Sequence, residues 1–285
     1  MSVLDTTDRE YLVWQPHAGL KSWLHHYSGF YEALTQPIWR LQVPRAQVSL
    51  VLAFGDDLEM RPVSSDAGSK AYQSFVVGIN AQPLMSKHSG LRACIDIPLR
   101  PWVAHRLFQG AETEGGGEAI ALEDLWGSEA LRLTAQLSEL PNWSQRFALI
   151  DQMLMAKFAT SHRRVRPEIR WAWNQLVSHH GCLPIRQLAQ AIGWSDRYFA
   201  QRFRESIGVT PKAAARQIRF AQAYDLITNE ADQPLSQIAL TCGYSDQSHL
   251  TREFQAFSGY SPAALQQETF TPDPEVPRIV IEPQR

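Results

Sequence analysis

The chain has 285 residues, 44% of them hydrophobic, with 27 Lys and Arg against 29 Asp and Glu, and its length favours two domains over one. No apolar run is long enough to span a membrane, and the opening MSVLDTTDRE lacks the basic-then-apolar pattern of a secretory leader, so the expectation is a cytoplasmic protein with no membrane partner. Cys94, Cys182 and Cys242 are odd in number and scattered, which reads as reduced thiols rather than a disulfide frame or a zinc site.

From about Tyr11 to Ile97 short β-type runs are broken by Gly, Pro and Asp. The clearest are Val48–Phe54, Tyr72–Ile79 and Leu91–Ile97, a spacing that predicts a sandwich or small barrel. Aromatic residues are dense here, among them Trp14, Trp23, Tyr27, Phe30, Trp39 and Phe54. They read as core or as the lining of a pocket for an apolar effector. His25 and His26 are adjacent, so they point to different sides of an element, and the His-x-His spacing of a metal-binding barrel is missing. No nucleophile elbow, phosphate-cradling glycine loop or supported Cys–His pair is present, and Asp56-Asp57 reads as a turn. The expectation is no catalytic residue, no metal and no cofactor.

Gly115-Gly116-Gly117 reads as a loop. Leu122–Leu140 and Trp143–Phe158 then switch to helical periodicity, the second through Phe147, Ile150, Met153, Leu154 and Phe158. That helix is either a dimerisation surface or packs on its own barrel. The arginine-rich Arg163–Pro167 marks a boundary. Three regions follow: residues 1–162, a β-rich sensor or dimerisation domain; 163–268, all helical; and 269–285, an extended Pro-rich tail. Charge divides along the same lines, with 13 basic against 17 acidic residues in the first region and 12 against 9 in the second. The positive balance lies on the helical region, as phosphate contact requires.

A single pattern occurs twice within the helical region. Ile185–Pro211 reads IRQLAQAIGWSDRYFAQRFRESIGVTP and Leu235–Pro262 reads LSQIALTCGYSDQSHLTREFQAFSGYSP. Ala189, Gly193 and Ser195 match Ala239, Gly243 and Ser245. After one inserted residue, Phe199, Phe203, Gly208 and Pro211 match Leu250, Phe254, Gly259 and Pro262. The small Ala lets two helix axes approach, Gly ends the first helix at positive φ, and Ser caps the second. Tyr198, Phe199 and Phe203 are expected inward, leaving Arg197, Ala200, Gln201 and Arg204 outward. In the second copy the outward residues are Gln247, Ser248, Thr251 and Arg252. Arg and Gln make the bidentate contacts that read guanine and adenine edges.

Pro211 to about Asn229 is a helix of about 28 Å at 1.5 Å per residue, with Ile218, Ala221, Leu226 and Ile227 inward. Such a rod holds two recognition helices about one DNA turn apart, roughly 34 Å. A single chain would then read two successive major grooves of double-stranded DNA, at an asymmetric site.

The helical region resembles the AraC/XylS family of bacterial transcription regulators over Glu168–Gln267. The resemblance rests on Arg219-x-x-x-Ala223-x-x-Leu226-Ile227, on Ile238-Ala239 followed by Cys242-Gly243-Tyr244-Ser245-Asp246, and on Phe254, Gly259 and Ser261-Pro262. It implies base contacts from Arg197, Ala200 and Gln201, then from Gln247, Ser248, Thr251 and Arg252. Three positions depart from the family: Arg202 replaces an aliphatic, Ala200 is too small to hydrogen-bond a base, and Leu265-Gln266 replaces an aromatic-Arg pair. The first half is similar to the β-rich sensor domains fused to this module, in Pro44–Asp56 and in Ile97–Trp102 running into a helix. The expected whole is an α+β multidomain protein: an N-terminal β-rich barrel or sandwich with helices, then a C-terminal all-α tandem helix-turn-helix. Its expected role is an effector-responsive activator binding double-stranded DNA, with a small-molecule effector, RNA polymerase and a second copy as further partners. Two alternatives stay open, a constitutive regulator with a purely dimerising first domain and an enzyme domain fused to a DNA-binding module, for which Cys94 would be the reactive thiol.

Overall fold

A computed structural model describes residues 6–64, 68–79, 81–113, 117–161, 164–229 and 233–267. The expected Gly115–Gly117 loop and the tail 269–285 fall wholly or mostly outside these residues.

The first half is an eight-stranded antiparallel sheet with four helices. Its strands are β1 (Thr6–Trp14), β2 (Tyr27–Gln42), β3 (Val48–Ala53), β4 (Leu58–Pro62), β5 (Lys70–Tyr72), β6 (Phe75–Val77), β7 (Leu84–Leu99) and β8 (Ala119–Ala121). They run in the order β1-β2-β7-β3-β6-β8, with β4 paired to β7 and β5. The 16-residue β2 and β7 form the spine, and an irregularity between Leu34 and Ile38 bends the pair. On one side of the bend β1 and β3 flank the spine; on the other, β4 does.

Both faces of the sheet are covered, which explains why Val48–Ala53 reads as a continuous apolar run rather than an alternation. Val48, Leu50, Leu52, Ile95 and Ile97 pack in the core beneath the helices, while Val51, Ala53, Phe30, Met60, Phe75 and Cys94 fill the opposite face. The helices are α1 (Pro101–Phe108), α2 (Leu122–Trp126), α3 (Ser128–Glu139) and α4 (Trp143–Thr160). The single helix expected over Leu122–Leu140 is two, because Gly127 turns the chain at φ 56°, ψ −138°. α4 uses its apolar stripe on its own domain: Phe147, Ile150, Leu154 and Phe158 are buried, with Trp14 stacked on Phe147 at 4.9 Å and Trp23 on Phe158 at 5.3 Å. That stripe therefore closes the sheet's core rather than facing a second copy.

The second half contains α5 (Pro167–Ser178), α6 (Ile185–Ala191), α7 (Asp196–Ile207), α8 (Pro211–Asn229), α9 (Leu235–Thr241), α10 (Gln247–Ser258) and α11 (Pro262–Gln267). The connecting helix has the expected bounds, although Ala223 rather than Ala221 is the fully buried alanine in its second half.

No gap divides the apolar core where the charge balance changes. One cluster runs from Leu50 and Ile97 through Trp102 and Val103 into Trp173, Phe199, Phe203 and Ile207, with Trp102 edge-on to Trp173 at 6.0 Å. A second cluster holds Phe220, Ala223, Ile238, Ala239, Leu250 and Phe254 together with Leu41 and Met85 of the bent sheet. Among the described residues no group of three metal-ligating side chains occurs, and no helix is long and apolar enough to cross a membrane. His25 is hydrogen-bonded to Arg100, and Cys94 is fully buried.

Candidate nucleic-acid interface

The two repeats fold into near-identical turns. Ala189 and Ala239 are fully buried at the helix crossings, where a longer side chain would hold the axes apart. Gly193 and Gly243 take φ 71° and 72°, left-handed values that favour glycine. Each first helix closes with the same pair of backbone bonds. The Gly193 and Trp194 N–H groups donate to the Gln190 and Ala189 carbonyls at 3.0 and 2.9 Å; those of Gly243 and Tyr244 donate to Leu240 and Ala239 at 3.1 and 2.9 Å.

The caps then diverge. Ser195 caps α7 as expected, its hydroxyl accepting from the Tyr198 N–H at 3.3 Å. Ser245 does not cap α10. Asp246 does, accepting from the His249 N–H at 2.7 Å, while the Ser245 hydroxyl donates to the Asp246 carboxylate at 3.3 Å. The extra residue of the second copy is absorbed here, so α10 begins one residue later than the aligned Ser-Asp pair suggests.

The His249 N–H, aided by the Ser245 hydroxyl, the Ser248 N–H and nearby Arg252, holds the Asp246 carboxyl below its ordinary range, and desolvation opposes them. The sign of the pH dependence follows. A depressed folded pKa stabilises the fold fully above the unfolded value, about 3.9, and that stability is lost as pH falls through the folded value. Thermal unfolding should therefore show an acid-side destabilisation that Asp246→Asn diminishes, since asparagine still caps. An unchanged acid limb in the variant would assign the effect to other carboxylates.

The offset decides which side chains share a stripe. On α7, Arg197, Gln201 and Arg204 are exposed and Ala200 half-buried, opposite the buried Phe199, Phe203 and Ile207. On α10 the equivalent positions are Ser248, Thr251, Arg252 and Gln255, opposite Leu250 and Phe254. Gln247 corresponds to Asp196 in the first turn, so it lies at the edge of the stripe. Gln255, which matches Arg204 once Phe203 is set against Phe254, is exposed and joins the stripe as a residue the expectation omitted.

Three side chains are already engaged. The Gln201 amide donates to Glu205 at 2.9 Å, the Thr251 hydroxyl donates to the Gln247 carbonyl at 2.9 Å, and Arg202 pairs with Glu205 at 2.8 Å while lying over Tyr198. Tyr198, expected inward, is exposed and edge-on to Trp194 at 4.9 Å. Position 198 is in the first turn of α7, ahead of the crossing, so no partner helix covers it. The outward arginine at 202 is thus accommodated by an ion pair and a ring, on the flank of the stripe.

The N-terminal domain touches this module away from the exposed stripes. The C-terminal glycines of α7 and α10, Gly208 at φ 94° and Gly259 at φ 79°, abut Thr113 and Val63. The Gln217 amide of α8 donates to the Arg45 carbonyl at 2.9 Å, and Arg45 lies 3.9 Å from Asp225.

A family model described as a helix-turn-helix domain matches residues 188–268. The HTH-type transcriptional activator RhaR of Klebsiella pneumoniae is 27% identical over 161 residues, covering 56% of this chain and 50% of that protein. The HTH-type transcriptional activator RhaS of Escherichia fergusonii is 26% identical over 88 residues, covering 28% of this chain and 31% of that protein. The chain thus spans half or less of the length of these curated relatives. Among solved structures, ToxT from Vibrio cholerae aligns over 91% of this chain and 98% of its own with a TM-score of 0.44 and 11% identity. The C-terminal domain of AraT from Geobacillus stearothermophilus aligns over 39% and 96% with a TM-score of 0.35 and 21% identity. With two turn-linked helix pairs in place and the family match laid over them, residues 188–268 are a helix-turn-helix domain.

Proposed function

We propose that this chain is a sequence-specific transcription regulator that binds double-stranded DNA and acts by binding, not catalysis. One observation carries the reading: two outward stripes, on α7 and α10, follow near-identical turns in helix pairs that come one before and one after a 19-residue helix. Arg197, Ala200, Gln201 and Arg204 face one groove, and Gln247, Ser248, Thr251 and Arg252 the next. Ala189, Gly193, Ser195, Ala239 and Gly243 hold the geometry. The DNA-binding unit is residues 163–268 and the sensor or dimerisation unit residues 1–162, in a cytoplasmic protein. As an activator it would engage RNA polymerase, with a second copy paired through the first domain. Cys94 lies fully buried in the sheet, which disfavours an enzyme working through that thiol.

An effector has a place to act. A cavity behind the segment between β2 and β3 is walled by Val43, Val51, Met60, Phe75 and Leu84, with Asp96 as its acidic member. Arg45, on the same rim, reaches α8 through the Gln217 and Asp225 contacts. A small, largely apolar molecule with a polar end would alter that rim. It would shift the DNA-binding unit only by binding its two arrangements with different affinity.

The test is selection of bound sequences from a random double-stranded pool at fixed salt, about 0.1–0.15 M, because affinity depends steeply on salt. The expected result is an asymmetric motif of two blocks about ten base pairs apart. Absence of enrichment, both with the full chain and with residues 163–285, would overturn the DNA reading.

A further inference from the structure

The apolar contacts between α10 and the connecting helix are aromatic. Phe220 meets Phe254 at 5.3 Å and Phe257 at 5.0 Å, and Tyr224 stacks on Phe254 at 6.0 Å. With Leu250 these rings set which face of α10 is buried, and so which residues face outward, but an apolar seam tolerates small shifts of the whole helix along its neighbour. A directional contact narrows that freedom.

Glu253 supplies one. It lies on α10 beside Arg252 but points away from the stripe, and it is buried. Its carboxylate accepts from Arg216 Nε at 2.5 Å and lies 3.8 Å from Arg219 Nη2, with His249 Nε2 at 3.9 Å one turn back. Arg216 and Arg219 are both on α8, one turn apart. Arg219 does more than pair with Glu253: its Nη1 donates to the Gly181 carbonyl at 3.0 Å, and its guanidinium lies 5.7 Å from the Tyr244 ring.

Gly181 belongs to the loop between α5 and α6, in the first helix-turn-helix unit. At φ 73° its backbone lies flush on α8, and a Cβ there would run into the Ala215 carbonyl. Glycine is what lets this loop come within reach of Arg219. Arg219 thus touches both units, hydrogen-bonded to the Gly181 carbonyl of the first and within ion-pair range of Glu253 on the second recognition helix.

We infer that Glu253 is a positioning residue that fixes the rotational phase of α10 relative to α7 through Arg219 and Gly181, and so sets the spacing between the two DNA blocks the protein accepts. The inference rests on the DNA-binding reading above. A buried carboxylate hydrogen-bonded to one guanidinium and within ion-pair range of a second suits this role because a shift that separates a buried pair leaves an uncompensated charge, which disfavours the neighbouring arrangements.

The experiment uses the full chain and the selected operator, with derivatives carrying one or two base pairs inserted or removed between the blocks. One added pair rotates the second block by roughly 35° and moves it by about 3.4 Å. The wild-type protein should bind such derivatives at least tenfold more weakly than the native spacing, a free-energy difference of about 1.4 kcal/mol or more. Glu253→Gln should reduce that penalty to about threefold or less while leaving base preference within each block unchanged. Arg219→Lys keeps the charge but cannot span Gly181 and Glu253 together, and it should reduce the penalty in the same way. It also carries the test should the first variant fail to fold. Full spacing discrimination in a folded variant would overturn the inference and leave the DNA reading intact. A wild-type protein indifferent to spacing would overturn both.

Discussion

Phe254→Ala is expected to destabilise the second helix-turn-helix unit by about 3–5 kcal/mol, the usual consequence of removing a large aromatic from a packed core. Phe254 is fully buried, meets the rings of Phe220 and Tyr224, and shares its cluster with Ile238, Ala239 and Leu250. The loss should be local. The first unit's Phe199, Phe203 and Ile207 belong to the large cluster that continues through Trp102 into the sheet, whereas among the described residues the second unit's cluster draws Leu41 and Met85 alone from the buried side chains of the sheet domain. Stability divided in this way shows as separate opening units in amide exchange. In the variant, amides of α9 and α10 should exchange far faster while those of α7 and β7 keep their protection. Equal acceleration in both units would show that the two clusters unfold as one.

Much of the helical half was legible because its determinants are local. A glycine at positive φ, a small residue at a crossing and a capping side chain each act within a few residues, so two copies of one pattern predict two copies of one turn. The limit lies at Ser245-Asp246. Both side chains are good caps, and the sequence offers no way to choose between them. The inserted residue resolves the choice in three dimensions by placing Asp246 at the helix start, and with it moves Gln255 onto the stripe. Glu253 was illegible for a different reason. An isolated glutamate reads as solvated surface, and only the packing of α10 on α8 reveals the two guanidiniums that hold it.

The sheet domain was less legible. β2 spans Tyr27–Gln42, yet its run of aromatic, small and charged residues lacks a clean period. Its interior carries an ion pair, Arg40 to Glu32 at 2.7 Å with His88 at 3.2 Å, all buried across β2 and β7. Those charges break the apolar alternation by which strands are recognised, and the irregularity between Leu34 and Ile38 shifts the register midway. In β3, by contrast, both faces are apolar and the strand shows plainly as VSLVLA.

Arg252→Ala is expected to weaken binding to the selected operator by about 1–3 kcal/mol and to relax preference at one base position in the second block. Arg252 is exposed on the α10 stripe at the position matched by Gln201 on α7, and its neighbour Thr251 has its hydroxyl donated to the Gln247 carbonyl. Arg252 is the arginine of the α10 stripe, with Gln247 at its edge and Gln255 a turn further on, so it is the side chain there suited to a bidentate contact with guanine. On α7 the corresponding duty is divided between Arg197 and Gln201, with Ala200 between them contributing no donor, so Arg197→Ala should affect a different base position in the other block. Lys212 provides the contrast: exposed in the first turn of α8 and off both stripes, it is suited to a phosphate. Lys212→Ala should lower affinity about equally for all sequences and lessen the salt dependence. The measurement is a set of dissociation constants for single-base operator variants at two salt concentrations. A base-specific loss for Arg252→Ala beside a uniform loss for Lys212→Ala would separate reading from anchoring. A uniform loss for both would move Arg252 to the phosphates and leave Ser248 and Gln255 as the side chains to test for reading the second groove.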